Sequence, residues 1–225
     1  MVSQMVSGIL PLILRVPFVL LSIVIHELSH GFVAYKMGDP TAKKAGRLSF
    51  NPIKHIDPLG AVSMLLFRFG WAKPVPVNPN YFRRKRLGMI LVSLAGPVAN
   101  MVFAFLVMCL WYLFAAVVPM HIGHSIPVMD TVNYYIEDLY WLNLSLAVFN
   151  LIPIPPLDGS KILGALLPEK WESTILRYER YGMIVLFVLI FASGRWNPLG
   201  NILGWGVTLL HEGIFYIIRF AFSFI

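Results

Sequence analysis

Two histidines and a glutamate stand close together inside an apolar stretch of this sequence. The pattern H-E-x-x-H occupies residues 26–30, directly after the apolar run 16–25. On a helix, positions four residues apart lie on one face, so His26 and His30 can direct imidazole nitrogens at one point. Neutral imidazoles suit zinc, and Glu27 stands where it can polarise a metal-bound water. Ionisable groups inside an apolar helix are costly, about 2.5–3.5 kcal/mol each on insertion scales, which favours a metal site over polar contacts that merely join helices.

A catalytic zinc ion usually has three protein ligands and one position for water, so the two histidines need a partner. Asp158 is the best candidate, because it follows a proline-rich break at residues 153–156 and is expected at the membrane depth of the histidines. The pair Asp158-Gly159 is equally typical of a turn where a helix leaves the membrane. The residues alone leave both interpretations open.

The composition is that of a membrane protein, since 58% of the 225 residues are hydrophobic and 13% are charged. Soluble domains are nearer one half apolar and one quarter charged. The net charge of +7 could indicate binding to nucleic acid, but 11 of the 18 Lys and Arg residues fall between residues 36 and 86, beside predicted spans. This is the positive-inside pattern, and we expect no nucleic-acid partner. The single cysteine, Cys109, excludes a disulfide framework and a cysteine metal site.

Apolar segments of about 20 residues predict the membrane spans. We predict an all-α polytopic membrane protein with about five transmembrane helices, its N-terminus outside and its C-terminus inside. The predicted spans are residues 8–35, 87–118, 134–152, 181–192 and 199–225. They form one membrane-embedded domain, residues 1–225, with a catalytic core at about 8–165 and further transmembrane segments at about 176–225.

The segment between the first two spans, residues 41–86, is neither a clean span nor an ordinary loop. Residues 47–52 predict a short strand and turn, and residues 61–69 are apolar but too short to cross a bilayer. A short membrane-associated β or re-entrant segment fits this pattern, and its exposed strand edge is expected to pair with an unwound substrate. His55, in a turn of this segment, is expected to be structural.

Three motifs together resemble the site-2 protease family, the intramembrane zinc metalloproteases of peptidase family M50. They are the H-E-x-x-H pattern at residues 26–30, A-G-P-V-A-N at 95–100 and N-L-I-P-I-P-P-L-D-G at 150–159. The sequence H-I-D-P-L-G at 55–60 is similar to the compact bacterial branch of that family, and the likeness covers residues 25–163. Many members carry a PDZ or CBS module, and none is expected within this sequence.

The resemblance implies a role for each residue at a matching position. His26, His30 and Asp158 are implied as the ligands of one zinc ion (Zn²⁺) per chain. Glu27 is implied as the general base that takes the proton of the attacking water.

Two asparagines are implied near the site. The Asn150 amide is expected to steady a substrate carbonyl or the developing oxyanion. Asn100 is expected to contribute to substrate binding in the same place, more weakly.

The resemblance further implies a zinc-dependent intramembrane endopeptidase that hydrolyses peptide bonds in or near transmembrane segments of membrane proteins, as in regulated intramembrane proteolysis. Its expected partners are a transmembrane protein substrate and the lipid bilayer. Its expected location is the cell (inner or plasma) membrane, as a multi-pass protein with its active site toward the cytoplasmic side.

Other functions fit parts of the same pattern. A divalent-metal transporter would use the buried His and Asp side chains as a transit site and would not need Glu27. A catalytically silent membrane scaffold would keep a structural zinc, and the intact Glu27 argues against it. A protease that cuts soluble peptides at the cytoplasmic face is a third alternative. A second His-Glu pair, His211-Glu212, has Phe215 where a histidine would complete the motif, so an interfacial or interhelical polar pair is expected there.

Overall fold

A computed structural model describes residues 2–67, 70–117, 127–168, 181–190 and 197–222 of the chain. Within these ranges the helices are α1 (Val2–Lys36), α2 (Thr41–Lys44), α3 (Pro58–Phe67), α4 (Lys85–Val117), α5 (Pro127–Leu151), α6 (Asp158–Leu166), α7 (Tyr181–Ile190) and α8 (Pro198–Phe222). Parts of the predicted C-terminal spans, residues 191–192 and 223–225, lie outside the described residues, as does 176–180.

Three helical stretches are long and apolar enough to cross a membrane. They are Ile13–Lys36 in α1, Lys85–Ala115 in α4 and Leu199–Phe222 in α8. Helix α5 has 25 residues but is more polar, because it carries acidic residues at positions 130, 137 and 138. Helix α7 is a shorter apolar helix. The prediction of an all-α membrane protein is therefore confirmed, whereas the count of five spans is not.

The predicted β-structure between the first two spans is wrong for the part of that segment that the structure describes. Residues 47–52 form bends that lead into a short 3-10 helix at Pro52–Lys54, and residues 61–67 belong to α3. The helix forms because the Asp57 side chain caps it, accepting hydrogen bonds from the Leu59 and Gly60 N–H groups at 2.9 and 3.0 Å. A single isolated bridge between residues 56 and 72 is the only β-pairing among residues 37–67 and 70–84.

Helix α4 lies at the centre of the fold and packs against α1, α5 and α6. On its α5 side, Ala104 meets Tyr140 and Leu144, all fully buried, and α8 packs against the same cluster. Helices α1 and α5 are joined directly by an ion pair in which both Nε and Nη2 of Arg15 bind the Asp138 carboxylate. These contacts hold the first half of α1 and the middle parts of α4 and α5 together.

The C-terminal end of α1 is fixed by a glycine and a buried aspartate. Gly38 has a φ of +102°, a conformation that side chains disfavour, and the Asp39 N–H then donates to Ala34 O at 2.9 Å. The Asp39 carboxylate accepts hydrogen bonds from the Thr41 N–H at 2.9 Å and the Asn78 N–H at 2.7 Å. The helix that carries the two histidines is thereby tied to the chain that leads into α4.

Candidate metal centre

The two histidines of the H-E-x-x-H pattern face one point, one turn apart on α1. Their Nε2 atoms lie 3.0 Å from each other, and both rings are buried. The His30 Nδ1–H donates to the carbonyl oxygen of Val92 at 2.6 Å, because a carbonyl can only accept. His26 Nδ1 lies 3.0 Å from Asn100 Oδ1. Each imidazole is therefore held by its outer nitrogen and keeps Nε2 for the shared point.

The Asp158 carboxylate reaches the same point from the first residue of α6. Its Oδ2 atom lies 3.1 Å from Nε2 of both His26 and His30. The following residue must be glycine, because a Cβ at Gly159 would lie 2.2 Å from the carbonyl oxygen of Leu151 at the end of α5. This close approach of α6 to α5 sets the depth at which the carboxylate enters the protein.

The arrangement fits a divalent metal ion. If both Nδ1 atoms carry the ring protons, two Nε2 lone pairs and a carboxylate oxygen converge in a buried space, and they repel one another unless a cation lies between them. Zinc bound tetrahedrally at 2.0–2.1 Å from each ligand would separate the ligand atoms by about 3.3 Å, close to the 3.0–3.1 Å distances seen here. Among the described residues this is the one group of three His, Cys, Asp or Glu side chains that could hold a metal.

A buried chain of hydrogen bonds supports His26 from behind. Asn100 is fully buried, and its Nδ2 donates to Asn143 Oδ1 of α5 at 3.0 Å, which leaves Asn100 Oδ1 to accept from His26. Asn143 Nδ2 donates in turn to Ser22 Oγ of α1 at 2.9 Å, and Ser22 Oγ–H donates to the Phe18 carbonyl at 2.8 Å. The chain links three helices and fixes which nitrogen of His26 faces the metal position.

A glycine of α4 lies against the two imidazoles. A Cβ at Gly96 would approach His26 Nε2 to 2.6 Å and His30 Nε2 to 2.5 Å. Real side chains do not approach that closely, so the space beside the convergent nitrogens depends on the absence of a side chain here. In the sequence Gly96 appears only as part of a small-residue stretch suited to helix contact, and this second role was missed.

Glu27 lies beside the metal position, at a cleft of about 600 Å³. Its Oε2 atom accepts a hydrogen bond from the Val75 N–H at 2.8 Å. The cleft also borders the two histidines and Asp158, and most of its wall is apolar, with contributions from Ile23, Val92, Leu146, Phe149, Met183 and Leu186. The predicted base and the three predicted ligands therefore open onto one space that admits an apolar chain.

The two predicted asparagines occupy different places. Asn150 lies on the wall of the cleft, where its Nδ2 donates to the carbonyl of Leu146, one turn earlier in α5. Asn100 does not border the cleft, and its contact with the site runs through His26. Sequence reasoning missed Asn143, although an amide inside an apolar helix is a signal for a buried polar contact.

Comparison with known proteins gives a consistent result. The sequence model of Peptidase family M50 matches residues 16–193. The chain is 42% identical over 190 residues to "Putative zinc metalloprotease YwhC" of Bacillus subtilis, a match that covers 83% of this chain and 81% of that protein. It is 29% identical over 185 residues to "Putative zinc metalloprotease Rip2" of Mycolicibacterium smegmatis, covering 79% of this chain and 67% of that one. "Zinc metalloprotease MJ0392" of Methanocaldococcus jannaschii is 27% identical over 179 residues, which are 77% of this chain and 42% of that protein. No solved structure matches the chain.

Proposed function

This chain belongs to peptidase family M50 and is a zinc-dependent protease of the site-2 type, and on that premise we propose that it hydrolyses peptide bonds in or near the transmembrane segments of other membrane proteins. The observation that carries the proposal is the convergence of His26, His30 and Asp158 at the wall of an apolar cleft, with Glu27 beside them. An apolar cleft among membrane-spanning helices suits a hydrophobic peptide better than a hydrated one.

The three predicted ligands and the predicted base have distinct roles in this proposal. His26, His30 and Asp158 would hold one zinc ion, which when bound supplies Lewis acidity and lowers the pKa of a bound water toward about 7. Glu27 accepts the proton of the attacking water and returns it to the leaving amine, a role worth about 10²- to 10⁴-fold in rate. The outward hydrogen bonds of both imidazoles keep their Nε2 atoms free for the metal.

The asparagines serve the reaction in two ways. Asn150 has a second amide hydrogen besides the one that it donates to Leu146, and this hydrogen is available to a substrate carbonyl in the cleft. Asn100 acts through His26, by accepting its Nδ1–H. Asn100 thus differs from the direct substrate contact expected of it from the sequence.

In the membrane, we propose a single domain with five spans, in which α5 and α7 cross in addition to the three apolar helices. A polar α5 is compatible with a bilayer because Asp138 pairs with Arg15 and the Asn143 amide is hydrogen-bonded to α1, to α4 and to the Leu139 carbonyl of α5 itself. The connecting segment together with the ends of α1 and α4 that flank it, residues 36–86, carries 11 of the 18 Lys and Arg residues, which supports a cytoplasmic position for it and for the nearby site in the cell membrane. Its α3 is a candidate re-entrant element, since Leu59 and Val62 are exposed.

The alternative functions have less support. A metal transporter has no use for Glu27 beside the metal position, and a silent scaffold has no use for a cleft of about 600 Å³ that opens on the ligands. The family relationship favours the protease over both.

Co-expression with a panel of tagged single-span membrane proteins tests the proposal. Wild type is expected to release a fragment from at least one of them, and Glu27→Gln is expected to release none, with equal zinc content. Glu212→Gln provides a matched control, because Glu212 is also the second residue of a His-Glu pair but is exposed on α8, remote from the ligands in the sequence. Equal cleavage by wild type and Glu27→Gln would exclude Glu27 as the base.

A further inference from the structure

The extended chain at residues 73–78, which we call the crossing segment, is fixed at both ends. At its start the Lys73 N–H donates to the carbonyl oxygen of His55 at 2.9 Å. At its end the Asn78 N–H donates to the buried carboxylate of Asp39 at 2.7 Å. The crossing segment therefore has a defined position relative to the end of α1.

A buried arginine holds the same segment from the side. Arg47 is 7% exposed, and its Nη2 donates to the carbonyl oxygens of Lys73 and Pro74, the latter at 3.2 Å. A guanidinium is charged at all accessible pH values and presents its donors in a rigid plane. The first half of the crossing segment is thereby held from both sides, by Arg47 and by His55.

Over residues 74–76 the crossing segment offers one backbone donor. Pro74 and Pro76 have no N–H, so Val75 supplies the only N–H in residues 74–76. That N–H donates to Glu27 Oε2 at 2.8 Å. Val75 is buried, and its side chain also lies close to α1, 3.1 Å from where a Cβ at Gly31 would stand.

We propose that the Val75 backbone N–H is a positioning group for the catalytic carboxylate, which it holds by Oε2 so that Oε1 is left to take the proton of the attacking water. This role rests on the proposed proteolytic function. A glutamate side chain has three rotatable bonds, and a hydrogen bond from a fixed backbone restricts them before substrate arrives. Hydrogen bonds to a charged acceptor are the stronger kind, which suits this purpose.

The test removes the donor and keeps the extended chain. Val75→Pro creates three consecutive prolines, which stay extended, and deletes this one N–H. Val75→Ala is the matched variant, since it shortens the side chain but keeps the donor. With a purified fluorogenic peptide we expect kcat of Val75→Pro to fall about 10- to 100-fold below that of Val75→Ala, with KM and zinc content similar in the two. Similar kcat values in the two variants would overturn the proposal.

A second measurement does not depend on proteolysis. Hydrogen–deuterium exchange of a peptide covering residues 73–76 reports on the Val75 amide, because Lys73 becomes the peptide's N-terminus and the two prolines contribute no exchangeable backbone hydrogen. We expect Glu27→Ala to speed exchange by one amide in this peptide, whereas Glu27→Gln, which keeps a side-chain oxygen acceptor, retains protection. Unchanged exchange in Glu27→Ala would refute the hydrogen bond, even if Val75→Pro failed to fold. Absence of cleavage by wild type would instead count against the proposed function, and the exchange result would still decide on the contact.

Discussion

Two His-Glu pairs lie on long helices of this protein, and their surroundings differ. In α1 the Nδ1 atom of His26 contacts Asn100, and its Nε2 atom faces His30 and Asp158. In α8 the pair is His211-Glu212, and His211 Nδ1 lies 2.9 Å from the hydroxyl of Tyr140. The same dipeptide thus borders a candidate metal centre in one place and joins two helices in the other.

The ring of His211 is enclosed by aromatic side chains. Its centroid lies 4.7 Å from that of Trp141 on α5 and 5.5 Å from that of Phe215, which occupies the position that a second histidine fills in α1. This agrees with the expected polar contact between helices. In α1 a histidine four residues on and a carboxylate from another helix complete a candidate metal site, whereas the dipeptide in α8 has neither partner among the described residues.

Removing one imidazole near each of the two His-Glu pairs should give the largest difference in zinc binding. His30→Ala is expected to lower zinc affinity by more than about 100-fold, beyond the loss typical of an outer-shell change, because one of three ligands is gone. His211→Ala should retain zinc, because the described contacts of His211 include no other metal-ligating side chain. Metal analysis of the purified proteins measures both. Zinc retained in His30→Ala would show that the metal is held elsewhere.

Adding one methyl group to a glycine beside the metal position and to a glycine of α8 is expected to give the next largest difference in zinc content and stability. Gly96→Ala should expel zinc and cost about 1–3 kcal/mol of stability, because its Cβ would lie 2.5 Å from His30 Nε2. Gly204→Ala on α8 has nothing within 4 Å of the new atom and should stabilise the helix by up to about 1 kcal/mol. Zinc content and thermal unfolding in detergent distinguish the two. Equal behaviour of the pair would contradict the close packing of α4 on the histidines.

Removing the amides that hold the His26 ring should have a smaller effect on zinc binding. Asn100→Ala leaves the ligands in place but frees the ring of His26, and we expect zinc affinity to fall about 10- to 100-fold. Competition with a chelator of known affinity measures this change. Asn143→Ala, one step further along the hydrogen-bond chain, is expected to act in the same direction and less strongly. A zinc affinity of Asn100→Ala equal to that of wild type would show that Asn100 does not fix the tautomer of His26.

The smallest effect on stability and zinc binding is expected from a change at the His211-Glu212 pair. Tyr140→Phe deletes the hydroxyl that meets His211, which should cost about 1 kcal/mol of unfolding free energy. Zinc affinity should stay as in wild type, because this contact lies between α5 and α8. Denaturant unfolding together with the chelator assay checks both statements, and a loss of zinc would mean that the two regions are coupled.

The apolar pattern and the motifs predicted much of this molecule, because each depends on neighbours in the sequence. The long helices α1, α4 and α8 follow from continuous apolar runs, and the pairing of His26 with His30 follows from helical geometry. Asp158 was left open by the residues alone, since the two histidines that it meets are more than 120 positions away.

The failures have physical causes of the same kind. Residues 61–69 were expected to form a strand or a re-entrant segment because they are too short for a span. The strand is wrong for residues 61–67, because the Asp57 cap and the following proline start a helix there. The contact of Val75 with Glu27 and that of Gly96 with the histidines join distant parts of the chain. No local pattern encodes such contacts.

The separation between the metal ligands also affects how the protein is made. Asp158 follows His26 by 132 positions. At about 5–20 residues per second, the ribosome needs about 7 to 26 seconds to reach the aspartate after it has passed the histidine. During that interval the nascent α1 already carries both imidazoles and the glutamate but has no carboxylate from α6 to complete the site. On the proposed ligand assignment, the helix with the H-E-x-x-H pattern is therefore made before the site is complete, and we expect activity only after the chain through α6 has been translated and folded.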